Sequence, residues 1–497
     1  MTIPAETPGA AGPEVGAPAW GERLVVILAV VVSGLAFLAA VSPWATEPPG
    51  YSLDGFNVAV WGEGARAAVD DPVASRLGGR RLTGDRYADH PPLTVWATAV
   101  ATGVGGDRPL VVRSPALVAG LLSLAVLALI LRDLELDVIA VVGGVVLSAT
   151  SGMFLAYGAM LDTPMVSLPV GLAAVRVGLR ARQGRPPRPG VAVAVGVLAG
   201  LAGWQAALTV GLVVFAVVRR ARRAAAALAS GLIAGLAATA GWIAWVLGDL
   251  GPLWRQAAVR AGSGGGEAPW IATQPPYLRD LYGWGLLAAV VIGVLLAGFR
   301  PRRPGGASGE RYVVAVLLVT IAGYAVLFRN GAAVHDYWTY WGVALVGVAT
   351  AVLIDRAASV VRDQPRDVAI ATRAGIGMVV VGAAVASWAQ PSVAEQRIRD
   401  GLDLRAAVAH LPVADSPEAE VVAVYPTRER VPWVEYAVRG RAVSVWSREG
   451  LAELPPSLPV LVILSGEPSP ALRDRADVVT ERFAVLPAGD LVEHLGG

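Results

Sequence analysis

Cysteine and lysine are absent from this 497-residue chain, and charged residues of any kind are scarce. Without cysteine there is no structural disulfide, no thiol nucleophile and no zinc site built on thiolates. Charged residues make up 16% of the chain, whereas a typical soluble domain has about a quarter. The low charge argues against an ordinary soluble globular protein.

Apolar residues take the place of the missing charge. They make up 55% of the chain, and the mean hydropathy is +0.56. About 20 apolar residues cross the hydrocarbon core of a bilayer, and such runs recur along the chain. The sequence predicts a mainly α, polytopic membrane helix bundle of about eleven spans, near 24–43, 112–131, 138–157, 163–180, 190–203, 205–218, 224–247, 285–299, 312–328, 338–354 and 374–389.

The arginines predict the topology. Five lie between Arg176 and Arg188, and four each lie in 219–223, 300–311 and 356–373. Short arginine-rich loops stay in the cytoplasm, so residues 44–111, 158–162, 248–284 and 329–337 are expected outside. The pI near 9.0 reflects these loops, so it does not indicate a nucleic-acid partner.

Three parts of the chain are predicted. Residues 1–20 are rich in proline, alanine and glycine, which favours a disordered cytoplasmic tail. Residues 21–388 form the membrane domain, with the large outer loop 44–111. Residues 389–497 carry 11 arginines and 16 acidic residues, a net charge of −5. There, short β-type runs alternate with helix-compatible segments, which predicts a small extracytoplasmic α/β domain with a partly parallel sheet.

Ionisable residues gather in the segments predicted outside. They lie in "YSLDGF", in "RYADHPPL", in "LDTP" and in "AVHDYW". Ionisable groups at a membrane boundary are costly and are by default functional candidates. The candidates are Asp54, Asp89, His90, Asp162, His335 and Asp336.

Each of these residues also has a structural interpretation. Asp162 before Thr163-Pro164 is a good helix N-cap. His90 precedes two prolines and is equally compatible with the end of an extended segment. Asp54 follows a Pro-Pro-Gly turn, and His335-Asp336 fits a solvated loop. The aromatic residues nearby fit an interfacial belt; they are Tyr337, Trp338, Tyr340 and Trp341.

Taken together, the motifs resemble a known family. Asp54 early in the first outer loop, "HPPL" at 90–93, "LDTPM" at 161–165 and "HDYW" at 335–338 are similar to the GT-C-fold membrane glycosyltransferases that use polyprenyl-phosphate sugars. The resemblance is closest to glycosyltransferase family 39 and to aminoarabinose transferase-like enzymes, and it spans roughly residues 24–345. It implies inverting transfer of a sugar from a lipid phosphate to an envelope acceptor at the outer face of the bacterial cytoplasmic membrane.

The resemblance suggests roles for the candidate residues. An acceptor hydroxyl needs a base, and Asp54 is the candidate for it. The departing lipid phosphate needs its charge stabilised, and the candidate donor-binding groups are His90, His335 and the outer arginines. Asp162 could orient the acceptor, or hold a divalent metal together with His90. The remaining substrate-binding candidates are Asp89, Asp336, Tyr337, Arg255, Arg260 and Arg279.

One departure from the family stands out. The family commonly has Asp-Glu in the first loop, whereas Gly55 follows Asp54 here. The second carboxylate is either lost or supplied by Glu63 or Asp89, which leaves the need for a metal open. A degenerate, non-catalytic sugar-lipid-binding protein is therefore one alternative. A lipid-sugar transporter is the other, although the paired repeats typical of transporters are not evident. The identity of the sugar, the acceptor and the oligomeric state are not predicted by the sequence.

Overall fold

The computed structural model describes residues 20–262, 270–299, 307–360, 364–388, 392–411, 421–428 and 431–495. The predicted tail falls outside them, apart from Trp20, which opens the first helix. In chain order the helices of the membrane bundle are α1 (Trp20–Ala45), α2 (Leu53–Asp70), α3 (Leu93–Gly105), α4 (Pro109–Asp133), α5 (Val138–Ala149), α6 (Gly152–Tyr157), α7 (Thr163–Arg182), α8 (Pro189–Ala202), α9 (Trp204–Val217), α10 (Arg222–Leu247), α11 (Gly251–Ala261), α12 (Trp270–Tyr282), α13 (Trp284–Phe299), α14 (Ala307–Leu327), α15 (Arg329–Val334), a 3₁₀ turn (Asp336–Thr339), α16 (Gly342–Val360) and α17 (Arg366–Trp388).

The helices confirm a multi-pass membrane protein. Within the described residues, seven are long and apolar enough to span a bilayer, and an eighth candidate is the pair α12–α13, which is bent by 100°. Ten of the eleven predicted runs overlap a single apolar helix, and the run 138–157 covers α5 and α6. However, α5, α8 and α9 have 12, 14 and 14 residues, which gives lengths of only about 18–21 Å. The count of eleven spans therefore stays a prediction.

One local prediction is wrong. The run 138–157 was expected to be one span, but it breaks at Thr150-Ser151, where the Ser151 hydroxyl caps the short helix α6. Hydropathy does not show where a serine interrupts a helix. Within the predicted outer loop 44–111, residues 93–105 form the apolar helix α3.

Glycines hold α8 and α10 together. Both helices carry a Gly-x-x-x-Gly pattern, at 196–200 and 231–235. A Cβ added at Gly235 would lie 2.3 Å from the Val197 carbonyl oxygen, and one at Gly196 would lie 2.4 Å from that of Leu228. Inside a membrane, helices associate through such close backbone packing rather than through the hydrophobic effect.

The two ends of the bundle differ. One end, the loop-rich end, is formed by residues 46–108, 158–162, 248–262, 270–283 and 328–341. Hydrogen bonds join these segments: the Asn330 amide donates to the Val259 carbonyl at 3.1 Å, and the Gln274 amide donates to the Ala332 carbonyl at 2.7 Å. The segments that the sequence predicts on one side of the membrane thus meet at one end.

At the opposite, arginine-rich end, carboxylates are paired with arginines. Asp133 accepts from Arg176 at 2.7 Å. Arg356 bridges Asp355 at 3.0 Å and Glu310 at 2.5 Å. Asp355 also accepts the N–H of Asp137 at 3.0 Å, which ties α16 to the start of α5.

The C-terminal α/β region, residues 392–411, 421–428 and 431–495, contains a five-stranded sheet ordered β2-β1-β3-β5-β4. β1 is parallel to β2 and β3, whereas β5 is antiparallel to β3 and β4. The partly parallel sheet and its first three strands were predicted; β4 and β5 were not. The elements are α18 (Ser392–Val408), β1 (Val421–Tyr425), α19 (Pro432–Val438), β2 (Arg441–Ser444), α20 (Arg448–Ala452), β3 (Pro459–Ile463), α21 (Pro470–Arg475), β4 (Val478–Val479), β5 (Phe483–Pro487) and α22 (Ala488–His494).

This region packs on the loop-rich end. Ala59 of α2 shares a hydrophobic core with Trp433, Val434 and Phe483. Asp107, just before α4, accepts a hydrogen bond from the Tyr436 hydroxyl at 2.5 Å and from Arg66 Nε at 2.9 Å. The C-terminal α/β region and the loop between α1 and α4 therefore lie on the same side of the bundle.

Candidate active site

Asp162 occupies the N-cap of α7. Its Oδ1 accepts the Thr163 N–H at 2.7 Å, and Pro164 follows in the first turn, so the predicted cap is confirmed. The carboxylate is buried and also accepts hydrogen bonds from the side chains of Tyr337 and Trp61. Burial raises the pKa of Asp162 above its usual value, and these donors oppose the rise. A residue with three donors is more than a cap.

Arg260, near the end of α11, is the cation at the centre of this cluster. It lies within electrostatic range of Asp89, Asp162, His90 and His335. Within the described residues it makes no hydrogen bond and no ion pair within 4.0 Å. A half-buried guanidinium whose donors are unused, close to two carboxylates and two imidazoles, is equipped to bind an anion.

The strand-like segment before α3 supplies Asp89 and His90. Trp61 of α2 packs edge-on against Tyr87, with ring centroids 5.6 Å apart, and its ring lies 6.0 Å from His90. The Nδ1 atom of His90 is 3.5 Å from the Thr163 hydroxyl. Burial raises the pKa of Asp89, although Arg260 opposes the rise. The "HPPL" and "LDTP" motifs are therefore in contact.

The "HDYW" motif forms the third side of the cluster. His335 stacks on Trp338 with centroids 5.5 Å apart, and its Nδ1 is buried without a partner in the described residues. Burial lowers the pKa of His335 to about 4 and that of His90 well below its usual value, and Arg260 adds to both shifts. Asp336 accepts a hydrogen bond from the Tyr157 hydroxyl at 2.5 Å. Both histidines are consequently neutral at neutral pH.

The aromatic residues of this motif are not an interfacial belt. Tyr337, Trp338, Tyr340 and Trp341 are all buried, and the Trp341 indole donates to the Pro164 carbonyl at 3.0 Å. Belt residues lie against lipid head groups, whereas Trp341 holds the start of α7 against the start of α16. The belt interpretation is therefore wrong for this segment.

Asp54 lies on α2, about one turn before Asn57, whose side chain hydrogen-bonds Tyr337 of this cluster. Ser52 is the N-cap of α2, and Asp54 sits in its first turn, 3% exposed. Its Oδ2 accepts from Arg113 Nη2 at 2.9 Å, whereas its buried Oδ1 has no partner in the described part of the chain. Asn57, three residues on, lies on the same helix face and donates to the Met160 sulfur at 3.6 Å.

The other candidates are placed differently. Arg255 is exposed on α11, and Arg279 is exposed on α12 with a 2.6 Å ion pair to Asp280. Glu63 accepts two hydrogen bonds from Thr83, at 2.7 and 3.2 Å. Of the three candidate arginines, only Arg260 approaches the carboxylates. Tyr324 of α14 stacks on Trp338 with ring centroids 5.4 Å apart. Five side chains at or beside the cluster were not among the predicted site residues; they are Asn57, Trp61, Tyr87, Tyr324 and Arg113.

The histidine and carboxylate side chains described for the cluster do not form a metal site. Within the described residues, no three histidine, aspartate or glutamate side chains converge as metal ligands. Asp162 already accepts three hydrogen bonds, and His90 Nδ1 faces a hydroxyl. The residues present do not form a complete protein-built metal site, so no step below is routed through a metal.

An apolar groove of 850 Å³ runs between α5, α13, α16 and α17. Its walls are aliphatic, for example Leu286, Ile354 and Val379. Tyr282, at the bend between α12 and α13, lines one end, and its hydroxyl donates to the Thr339 carbonyl at 2.9 Å. Thr339 is the last residue of the 3₁₀ turn that carries Tyr337. The hydrogen bond from Tyr282 therefore connects the end of the groove to that turn.

Comparisons with known proteins give a match to a family model. Residues 89–245, which include "HPPL" and "LDTP", match the family model described as dolichyl-phosphate-mannose-protein mannosyltransferase. A comparison with curated protein sequences returned no match.

The fold is shared with solved membrane glycosyltransferases. The structure of ArnT from Cupriavidus metallidurans bound to undecaprenyl phosphate matches with a TM-score of 0.60 and 14% identity, over 95% of this chain and 98% of that one. The apo state of ArnT matches with a TM-score of 0.59. The Archaeoglobus fulgidus oligosaccharyltransferase in complex with Zn and sulfate matches with a TM-score of 0.54 and 14% identity, over 84% of this chain and 62% of that one. The resemblance to GT-C glycosyltransferases and the predicted fold class are confirmed.

Proposed function

We propose that this chain transfers a sugar from a polyprenyl-phosphate donor to an acceptor of the bacterial cell envelope. The observation that carries the proposal is Arg260, a half-buried cation with unused donors among Asp89, Asp162, His90 and His335. ArnT, which shares the fold over almost its whole length, binds undecaprenyl phosphate.

The reaction is a single displacement at the anomeric carbon. The acceptor oxygen forms a bond to that carbon while the carbon–oxygen bond to the phosphate breaks, and the electron pair leaves with the phosphate. Its charge is stabilised by Arg260, because preorganised donors in a dry site are most effective where charge develops. His90 and His335, neutral at neutral pH, act there as hydrogen-bonding groups rather than cations.

The acceptor proton goes to a carboxylate, for which Asp54 is our assignment. One of its oxygens is held by Arg113 while Oδ1 has no partner in the described residues, which leaves one oxygen to take the proton. That oxygen is buried, so the hydroxyl reaches it only by displacing a neighbour. Asp89 is the competing base, since it is half-buried, faces Arg260 and has a raised pKa. Asp162 instead holds Tyr337 and Trp61 in place.

The apolar groove is suited to the prenyl chain. It lies along the spans, is lined by aliphatic side chains, and ends at Tyr282, which hydrogen-bonds to the turn carrying Tyr337. A chain lying there brings its phosphate to the loop-rich end, where Arg260 lies.

The loop-rich end faces outside the cytoplasmic membrane in this proposal. The positive-inside rule applied to the arginine-rich end supports that orientation. It makes residues 1–20 a cytoplasmic tail, residues 21–388 the membrane domain and residues 389–497 an extracytoplasmic domain. Protease added to intact spheroplasts is expected to cleave the C-terminal domain, and protection of that domain would contradict the orientation.

Close packing explains why position 55 is a glycine. A Cβ there would lie 1.9 Å from the Gly50 carbonyl oxygen, so no side chain fits at this position while residues 47–52 lie on α2. The glycine by itself therefore does not indicate a degenerate enzyme.

The test compares the cell-envelope glycans of strains with and without this gene product. A glycan that loses one type of sugar residue in the deletion strain, and regains it with the wild-type gene but not with Asp54→Asn, supports the transferase. An unchanged glycan profile would contradict it.

A further inference from the structure

Arg113 is buried where the membrane helix α4 begins, and all its partners lie near Asp54. Its guanidinium binds the Asp54 carboxylate at 2.9 Å and the carbonyl oxygens of Glu47 and Ala45 at 2.8 and 3.3 Å. The side chain is 2% exposed. A buried ion pair is costly unless further hydrogen bonds compensate it; the two carbonyls do so in part, since Arg113 Nε and Asp54 Oδ1 are buried without a partner in the described residues.

The Glu47 carbonyl belongs to a segment that lies on the first turn of α2, whereas Ala45 is the last residue of α1. We call residues Glu47–Ser52 the strap. Gly50 of the strap touches Gly55, where a Cβ would collide with it at 1.9 Å. The Ser52 hydroxyl accepts the Gly55 N–H at 3.0 Å. The strap therefore fixes both the turn that carries Asp54 and the guanidinium that binds it.

The C-terminal α/β region holds the strap by two contacts. The Tyr51 ring packs on Trp433 and Phe483, with centroids 5.1 and 6.4 Å apart. The Glu47 carboxylate accepts from Arg405 of α18 at 2.9 Å. The aromatic contact holds Tyr51, near the end of the strap, and the ion pair holds Glu47, at its start.

We propose that Arg113 is a positioning residue for the Asp54 carboxylate, and that the C-terminal α/β region completes this positioning by holding the strap. The inference rests on the proposed function, since it assigns a purpose to the order around Asp54. Three consecutive hydrogen bonds connect the C-terminal region to the carboxylate: Arg405 to Glu47, Arg113 to Glu47, and Arg113 to Asp54. A base displaced by about 1 Å loses on the order of 10²-fold in rate, so loosening the strap lowers turnover without touching the donor.

The experiment uses variants of the full chain at the two contacts that hold the strap. Tyr51→Ala removes the half-exposed ring, and Tyr51→Phe is the matched control that keeps it. Arg405→Glu repels Glu47, and the double variant with Glu47→Arg restores an opposite-charge pair. Turnover is measured with radiolabelled polyprenyl-phosphate pentose and hexose in membranes of the deletion strain, which supply the acceptor. Hydrogen exchange of the Gly55 and Phe56 amides reports the order of the first turn of α2 directly.

We expect faster exchange and about a 10- to 10²-fold lower kcat for Tyr51→Ala, with the KM for the donor nearly unchanged. Tyr51→Phe should behave as the wild type. Arg405→Glu should show a smaller loss, and the charge-swapped double variant should recover it. A purely structural role would lower the amount of folded protein but would not give this split between kcat and KM, nor the recovery.

Two failures are distinguishable. Unchanged exchange and unchanged kcat in Tyr51→Ala, in a protein whose Asp54→Asn variant is inactive, overturns the positioning inference and leaves the transferase standing. Absence of transfer by the wild type, with exchange still altered by Tyr51→Ala, overturns the proposed function instead.

Discussion

Two groups of carboxylates, one at each end of the helix bundle, relate to their arginines in opposite ways. At the arginine-rich end, Asp133 pairs with Arg176, and Asp355 and Glu310 share Arg356. At the loop-rich end, Asp89 and Asp162 surround Arg260, and within the described residues no ion pair within 4.0 Å forms among them. Burial raises the pKa of both these carboxyl groups.

The difference separates structural charge from functional charge. Paired charges satisfy each other and hold helices together. Burying a charge with unused hydrogen-bonding capacity costs free energy, which other interactions of the fold must offset. Asp54 lies between these cases, because one of its oxygens is paired with Arg113 and the other is not. Substitutions of the paired carboxylates at the arginine-rich end should therefore change stability, and substitutions of Asp54 and of the residues around Arg260 should change transfer.

The largest effect is expected at Asp54. Asp54→Asn keeps the size of the side chain but removes the base, so turnover should fall by about 10²–10⁴-fold, with a small change in the KM for the donor. Asp133→Asn, at the opposite end, should leave turnover unchanged. If Asp54→Asn remains active and Asp89→Asn does not, Asp89 is the base.

A stability loss is expected at Asp355. This carboxylate is fully buried and binds both Arg356 and the Asp137 N–H. Asp355→Ala should lower the free energy of unfolding by about 1.5–3 kcal/mol, measured as a lower Tm in detergent, with donor KM retained. The exposed pair of Asp280 with Arg279 is the control, and Asp280→Ala should shift the Tm little. Equal shifts for the two variants would remove the contrast.

Arg260 should govern donor binding. Arg260→Gln removes a charge-assisted contact to the phosphate, so the KM for the donor should rise by about 10- to 10²-fold. Arg255, five residues earlier on the same helix and exposed, is the matched control. The assignment of Arg260 fails if Arg255→Gln raises the KM as much.

The smallest effect is expected at His335. Its pKa is lowered to about 4, so it is neutral at pH 7 and gains a proton only when the pH falls toward 4. His335→Gln should therefore raise the KM for the donor by at most about tenfold, the contribution of one neutral hydrogen bond. A rise as large as that of Arg260→Gln would show that His335 is charged in the complex.

Much of the fold could be predicted from the sequence because each membrane span is determined by consecutive residues. Apolar runs, arginine clusters and the Asp-Thr-Pro cap are all read within a few residues. The antiparallel strands β4 and β5 were missed, since β4 has only two residues. The break after Thr150 was missed because it follows from one serine hydroxyl.

The site was only partly predictable because its contacts join distant residues. His90 and Thr163 are 73 positions apart, and Asp54 and Arg113 are 59 apart. Arg113 carried a usable signal, an arginine within an otherwise apolar run. Trp61 and Asn57 carried none, since on a helix such as α2 they are indistinguishable from packing residues.

The measurement that tests the central claim most directly is transfer by purified protein in proteoliposomes. The vesicles hold radiolabelled polyprenyl-phosphate sugar, and envelope acceptor extracted from the deletion strain is added outside. Our account predicts that label appears on the acceptor with the wild type, is nearly lost with Asp54→Asn, and is strongly reduced with Arg260→Gln when the donor concentration lies below its KM. Label that crosses the bilayer while it stays attached to the lipid would contradict the account and identify a transporter instead.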